Sequence, residues 1–171
     1  MRELIKFASF LALLILVLSP SVSGKTVDLG PYRLDFDAPV DMRNDQYDKT
    51  IATDYDTLYS YTFWNPSPER VCVLYLHDAF VSYTPEMLND TLNFWLSYGT
   101  VRVKTWNVSA EGIIAYRGEG VTKEGALQAY GYAKAFNVTQ DGSDVNMFVV
   151  TKTVGLTKDE AERIFYSMEV T

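Results

Sequence analysis

Residues 126–168 read ALQAYGYAKAFNVTQDGSDVNMFVVTKTVGLTKDEAERIFYSM. The first run, ALQAYGYAKAFNV, is extended in character. It is followed by Gln140-Asp141-Gly142-Ser143 and by a second extended run, VNMFVVTKTV. Asp-Gly between two such runs is a hairpin signal, because both positions tolerate the positive φ that a tight turn demands. The chain then closes on a helix. Thr157 is placed to cap it, with Glu160 three positions on as the return half of a capping box. Ala161, Ile164, Phe165 and Met168 fall on one side of that helix at i, i+3, i+4 and i+7. A hairpin with a helix folded back on it points to an antiparallel sheet covered by helices.

The first strand of the hairpin has two unlike faces. Leu127, Ala129, Gly131, Ala133 and Ala135 make one that is small after its first residue. Tyr130, Tyr132 and Phe136 make a large aromatic one, with Gln128 and Lys134 among them. A small face lets another element approach the backbone closely. The terminal helix is expected there, which would leave the tyrosines on the other side of the sheet.

Outward from this unit, residues 26–39 contain two short extended pieces split by Gly30-Pro31. In the second, Tyr32, Leu34, Phe36 and Ala38 alternate with Arg33, Asp35 and Asp37, as in a half-buried strand. Residues 41–56 are acidic and read as a solvated loop or short polar helix. Their carboxylates could suggest calcium, but neither the spacing nor the glycine of a calcium loop is present. Thr57 to Trp64 reads as a strand with Tyr59, Tyr61 and Phe63 on one face. Val71 to His77 is apolar on both faces and belongs inside the sheet. Thr84 to Gly99 reads as a helix, with Thr84 as cap, Pro85 in the first turn and a stripe of Leu88, Leu92, Trp95 and Leu96. Strands follow over 100–108 and 113–118, and EGVTKEG (119–125) reads as a polar loop. The expectation is an α+β fold. It has a single antiparallel sheet of about six to seven strands, with a central helix and a C-terminal helix packed on it.

The amino terminus has a different character. Arg2 and Lys6 precede an apolar run from Phe7 to Leu18, and Ser21-Val22-Ser23-Gly24 follow. This is the layout of a secretory signal peptide, residues 1–24, with cleavage near Gly24. An uncleaved anchor is the alternative, although the run is short for a span of ~20 residues. The mature single domain would be 25–171, secreted or envelope-associated, with no membrane span. Loss of Arg2, Lys6 and Glu3 takes the net charge from −7 to −8. Such acidity argues against nucleic acid as a partner.

The chain has one cysteine, Cys72, and one histidine, His77. Cys72 lies in an apolar strand and reads as a small hydrophobe. No cofactor is expected. A zinc site would need three or four His, Cys or acidic ligands, so no metal is expected either. His77-Asp78 could form a base with its orienting partner, but neighbours on a strand point to opposite faces. A small extracytoplasmic hydrolase using His77 or paired carboxylates is the catalytic alternative. Asn89, Asn107 and Asn137 each begin an Asn-x-Ser/Thr motif and are candidate glycan acceptors. A glycosylated structural envelope protein is therefore a third possibility. With twelve tyrosines in the chain, Tyr59, Tyr61, Tyr130, Tyr132 and Phe136 are the candidate ligand-binding residues. Tyrosine gives large contact area at low entropy cost. The expected partner is a protein or glycan of the cell envelope.

Three features together resemble the PsbP-like family of extracytoplasmic proteins. They are the opening Tyr32-Arg33-Leu34-Asp35-Phe36-Asp37-Ala38-Pro39 segment, the helix after the early strands, and the terminal helix around Ala161-Glu162-Arg163-Ile164-Phe165-Tyr166-Ser167. The chain also resembles small secreted prokaryotic proteins. The PsbP-like resemblance implies an antiparallel sheet between helices and a non-enzymatic binding or assembly role, and it transfers no functional residue.

Overall fold

The computed structural model describes residues 22–53, 56–79, 84–111, 113–140 and 143–171. The predicted hairpin lies at the centre. Strands β8 (Gln128–Gln140) and β9 (Ser143–Val154) pair from Ala129↔Val154 to Gln140↔Ser143. The turn residues 141 and 142 lie outside the described residues. The large sheet has seven strands in the order β3-β4-β5-β9-β8-β7-β6, so β9 is its middle strand. Its other members are β3 (Asn44–Thr53), β4 (Asp56–Pro66), β5 (Glu69–Ala79), β6 (Thr100–Asn107) and β7 (Ala115–Thr122). Every neighbouring pair is antiparallel.

The expected single sheet is corrected here. Strands β1 (Val22–Leu29) and β2 (Tyr32–Pro39) form a hairpin of their own, and β10 (Glu169–Val170) adds to β2 to make a second, three-stranded sheet. The reason is visible in β2. Its Tyr32, Leu34, Phe36 and Ala38 are all buried, and they face the large sheet rather than extending its edge. Phe36 meets Phe63, Tyr32 meets Tyr59 edge-on, and Leu34 joins Leu74 and Leu76 in the main core. Gly30 makes the β1–β2 turn at φ 66°, and a Cβ there would fall 2.3 Å from the Tyr59 ring.

Helix α1 (Pro85–Ser97) is capped by the Thr84 hydroxyl, which accepts from the Met87 N–H at 3.3 Å. It buries Leu88, Leu92 and Leu96. Helix α2 (Lys158–Tyr166) carries the expected capping box at Thr157 and Glu160. The two helices occupy opposite faces of the large sheet, and the expected placement is reversed. The small face of β8 receives α1. A Cβ on Gly131 would lie 2.9 Å from Leu92 Cδ1, and Ala133 packs with Leu88 and Leu92. The terminal helix lies on the aromatic face instead, with Phe165 stacked on Tyr132. The leucines of α1 are bulky, and only an alanine-glycine surface accommodates them at short range. On the other side the Phe165 ring of α2 lies flat against Tyr132.

Two loops of the sequence reading are strands. Residues 44–53 form β3, an edge strand whose described side chains are exposed. It is held by backbone pairing to β4 and carries charges, as exposed edges commonly do. Strand β7 runs on to Thr122, through Gly118 and Gly120. These glycines mark close approach rather than a loop. A Cβ on Gly118 would sit 2.7 Å from Leu96, and one on Gly120 would sit 3.2 Å from Val103.

A clamp ties the layers together. Arg70 on β5 reaches Asp41 at 2.6 Å and Glu160 on α2 at 2.5 Å. No helix among the described residues is long and apolar enough to cross a membrane.

Candidate functional site

The predicted site residues do not converge. His77 is buried and stacks on Phe148, on the α1 face, with ring centroids 4.4 Å apart. Asp78 turns to the opposite face and accepts from the Tyr32 hydroxyl at 2.7 Å. The aromatic candidates are taken up by packing. Tyr59 and Tyr61 are buried against the β1–β2 hairpin. Tyr132 is fully buried under α2, and burial pushes its hydroxyl pKa upward. Tyr130 is half-buried beside it, and Phe136 is half-buried under the Lys134 ammonium, 4.9 Å from the ring. Over β8 this aromatic face is therefore covered by α2.

Asn107 is exposed, and its side-chain oxygen accepts from the Ser109 N–H at 2.8 Å. Asn89 is half-buried on α1. The Asn137 side chain lies outside the described residues, as do residues 1–21, which hold most of the expected signal peptide.

The aromatic face does stay open past α2, over β6 and β7. A cleft of about 350 Å³ lies there. Arg102, Lys104 and Trp106 of β6 form one wall. Glu119 and Val121 of β7 and Gln128 of β8 complete it. The placement follows from register. Trp106 lies opposite Arg117, Lys104 opposite Glu119, and Val121 opposite Gln128. Cross-strand neighbours point to the same face.

Arg102 sits at an irregularity. Between Val101 and Lys104 the β6–β7 register shifts by one residue, and Arg102 has φ 58°. This is the left-handed conformation that a bulge usually assigns to glycine. A side chain held there costs about 1 kcal/mol or more. The bulge allows a guanidinium to line the cleft.

Trp106 is 40% exposed. The Arg117 guanidinium lies 5.1 Å from its ring centroid. Arg117 is in turn fixed by Glu119 at 2.6 Å and by Glu162 of α2 at 3.3 Å. One face of the indole is thus braced by a cation that is itself anchored. Glu119, the acid among the lining residues, is taken by Arg117. Arg102 and Lys104 make no ion pair among the described residues. An exposed indole, two unengaged cations and the Gln128 amide therefore share one opening. The chain as a whole carries a net charge of −7.

A second cleft of about 200 Å³ lies at the other end of α2, among Val108, Ile113, Ala115, Phe165 and Tyr166. Its one cation, Lys134, donates to the Met168 carbonyl at 3.0 Å. Burial lowers the Lys134 ammonium pKa. This cleft is mainly apolar and its amine is already engaged. Among the described residues no three His, Cys, Asp or Glu side chains come together as metal ligands.

The sequence contained a signal for the cleft. Arg102, Lys104 and Trp106 alternate with Val101, Val103 and Thr105, so one face of that run is cationic and aromatic. The opposite wall is formed where the sequence suggests a polar loop over 119–125 and β7 instead continues to Thr122.

No protein-family model and no curated protein matches the chain. Among solved structures it is similar to LpqN, described as involved in cell envelope biogenesis of Mycobacterium tuberculosis. The identity is 14%, 88% of this chain and 91% of that one are covered, and the TM-score is 0.46.

Proposed function

We propose that the chain is a secreted or envelope-associated, non-catalytic binding module that takes its ligand in the cleft of Arg102, Lys104, Trp106 and Gln128. The backbone of Arg102 supports this most directly. Its φ of 58° places an arginine where glycine would be unstrained, and local strain of this kind concentrates at functional sites. The groups that meet in the cleft are suited to binding. A guanidinium and an ammonium attract anions, an amide donates and accepts hydrogen bonds, and an indole offers a flat apolar surface.

The leader-like segment supports export. Strand β1 begins at Val22 and pairs through Val22↔Pro39 to Gly24↔Asp37. Cleavage after Gly24 would remove three residues of that strand and leave the pairs from Lys25↔Phe36 to Leu29↔Tyr32 intact.

An oligosaccharide array probed with wild-type protein and with Arg102→Ala and Trp106→Ala tests the site. Binding by the wild type that both variants lose, with their melting temperatures kept, is the expected outcome. Equal binding by all three proteins would place the ligand elsewhere.

A further inference from the structure

We infer that the ligand is an acidic saccharide, a sugar unit that stacks on Trp106 while its pendant anionic group is held by Arg102 and Lys104. The inference rests on the cleft assigned above and names the chemistry it selects. Three observations carry it.

The first is the indole. A ring that is 40% exposed and braced on one side by Arg117 is a rigid platform. It suits a flat partner with an apolar face and needs little ordering on binding. The C–H faces of a pyranose are such a surface, and its hydroxyls would find Gln128.

The second is charge. Arg102 and Lys104 lie on the same wall as Trp106, without an ion pair among the described residues. In a chain of net charge −7, two free cations beside an aromatic ring select an anion locally. A sugar acid carries its charge on the same unit that stacks, so Trp106 and the two cations engage one residue together, whereas the phosphates of a nucleic acid lie on the backbone, away from its stacking bases.

The third is shape. About 350 Å³ is at the low end of small-molecule sites, roughly 300 to 1,000 Å³. Strand β6 is the last strand of its sheet, so the cleft has no further strand beside it. An inner unit of a longer glycan could lie in it with both ends free.

Titration of the full chain with oligogalacturonate, followed by tryptophan emission and calorimetry, tests the inference. The comparison probes are the fully methyl-esterified oligomer, which keeps the rings and loses the charge, and an oligothymidylate of similar length. Oligogalacturonate is expected to change the emission of wild-type protein but not of Trp106→Phe. Its affinity should fall about tenfold in Arg102→Ala and in Lys104→Gln, as expected for loss of one charge-assisted contact. It should also fall as salt rises. Equal binding of the methyl ester, dependent on Trp106 and indifferent to salt, would overturn the acidic ligand and leave the cleft standing as a neutral-sugar site. Equal or tighter binding of oligothymidylate would assign the cleft to phosphate-bearing chains. No binding of oligogalacturonate at millimolar concentration would also overturn the inference. Binding undiminished in Trp106→Phe and Arg102→Ala would overturn the cleft itself.

Discussion

The guanidinium of Arg117 lies over the ring of Trp106, 5.1 Å from its centroid, and the same guanidinium bonds Glu162 on the terminal helix at 3.3 Å. One arginine thus links the exposed indole of an edge strand to the last helix of the chain. The cleft is an extension of the packed face, and α2 anchors the cation that lies against its indole.

Arg102 should trade stability for binding. Arg102→Gly removes the strain of a non-glycine residue at φ 58°. Stability is expected to rise by about 0.5 to 1 kcal/mol, read as a higher denaturation midpoint with an unchanged slope. Ligand binding is expected to weaken in the same protein. A lower midpoint would show that the Arg102 side chain is needed for the fold.

Tyr132 separates packing from polarity. Its ring is fully buried and stacked on Phe165 with centroids 4.8 Å apart, and its hydroxyl meets no hydrogen-bond partner among the described residues. Tyr132→Ala is expected to cost about 3 to 5 kcal/mol through the cavity it leaves. Tyr132→Phe keeps the ring and removes an unsatisfied buried polar atom. It should be neutral or stabilising by about 1 kcal/mol in chemical denaturation. A loss of more than that on Tyr132→Phe would reveal a hidden hydrogen bond.

The Arg70 clamp sets an acid limit. Burial alone would raise the Asp41 pKa, but the hydrogen bonds from Arg70 and Asn65 outweigh it and hold the carboxyl below its usual range. Burial of Glu160 is likewise outweighed by the Thr157 backbone N–H and by Arg70. Folded values lower than unfolded ones mean that both carboxylates contribute stability in full above about pH 4. That contribution is lost as the pH falls through the folded values. Arg70→Met should lower the melting temperature near neutrality and flatten its decline on the acid side. An unchanged acid limb would remove the clamp from the account.

Cys72 should be inert in the native protein. It is fully buried, and burial pushes its thiol well above the usual range. The thiolate is the reactive form. An aromatic disulfide reagent is expected to modify the unfolded chain at once and the folded chain only as fast as it opens. Rapid modification of folded protein would contradict this burial.

Much of the architecture was legible in residues 126–168 alone. Local rules govern it. The extended runs, the Asp-Gly pair and the Thr157–Glu160 capping box each act within a few residues of chain, and so does the alternation of Tyr130 and Tyr132 with Ala129, Gly131 and Ala133. The tertiary structure decided which face received which helix. Both faces of β8 are apolar, and periodicity does not distinguish a leucine-bearing helix from an alanine- and phenylalanine-bearing one as their covers. Steric fit does, since Gly131 admits Leu92 and Leu96 closely while Tyr132 requires a flat partner such as Phe165. Register decided the rest. Only pairing across β6, β7 and β8 brings Trp106, Glu119 and Gln128 to one opening, because strand neighbours are set by hydrogen bonds between distant segments and not by spacing along the chain.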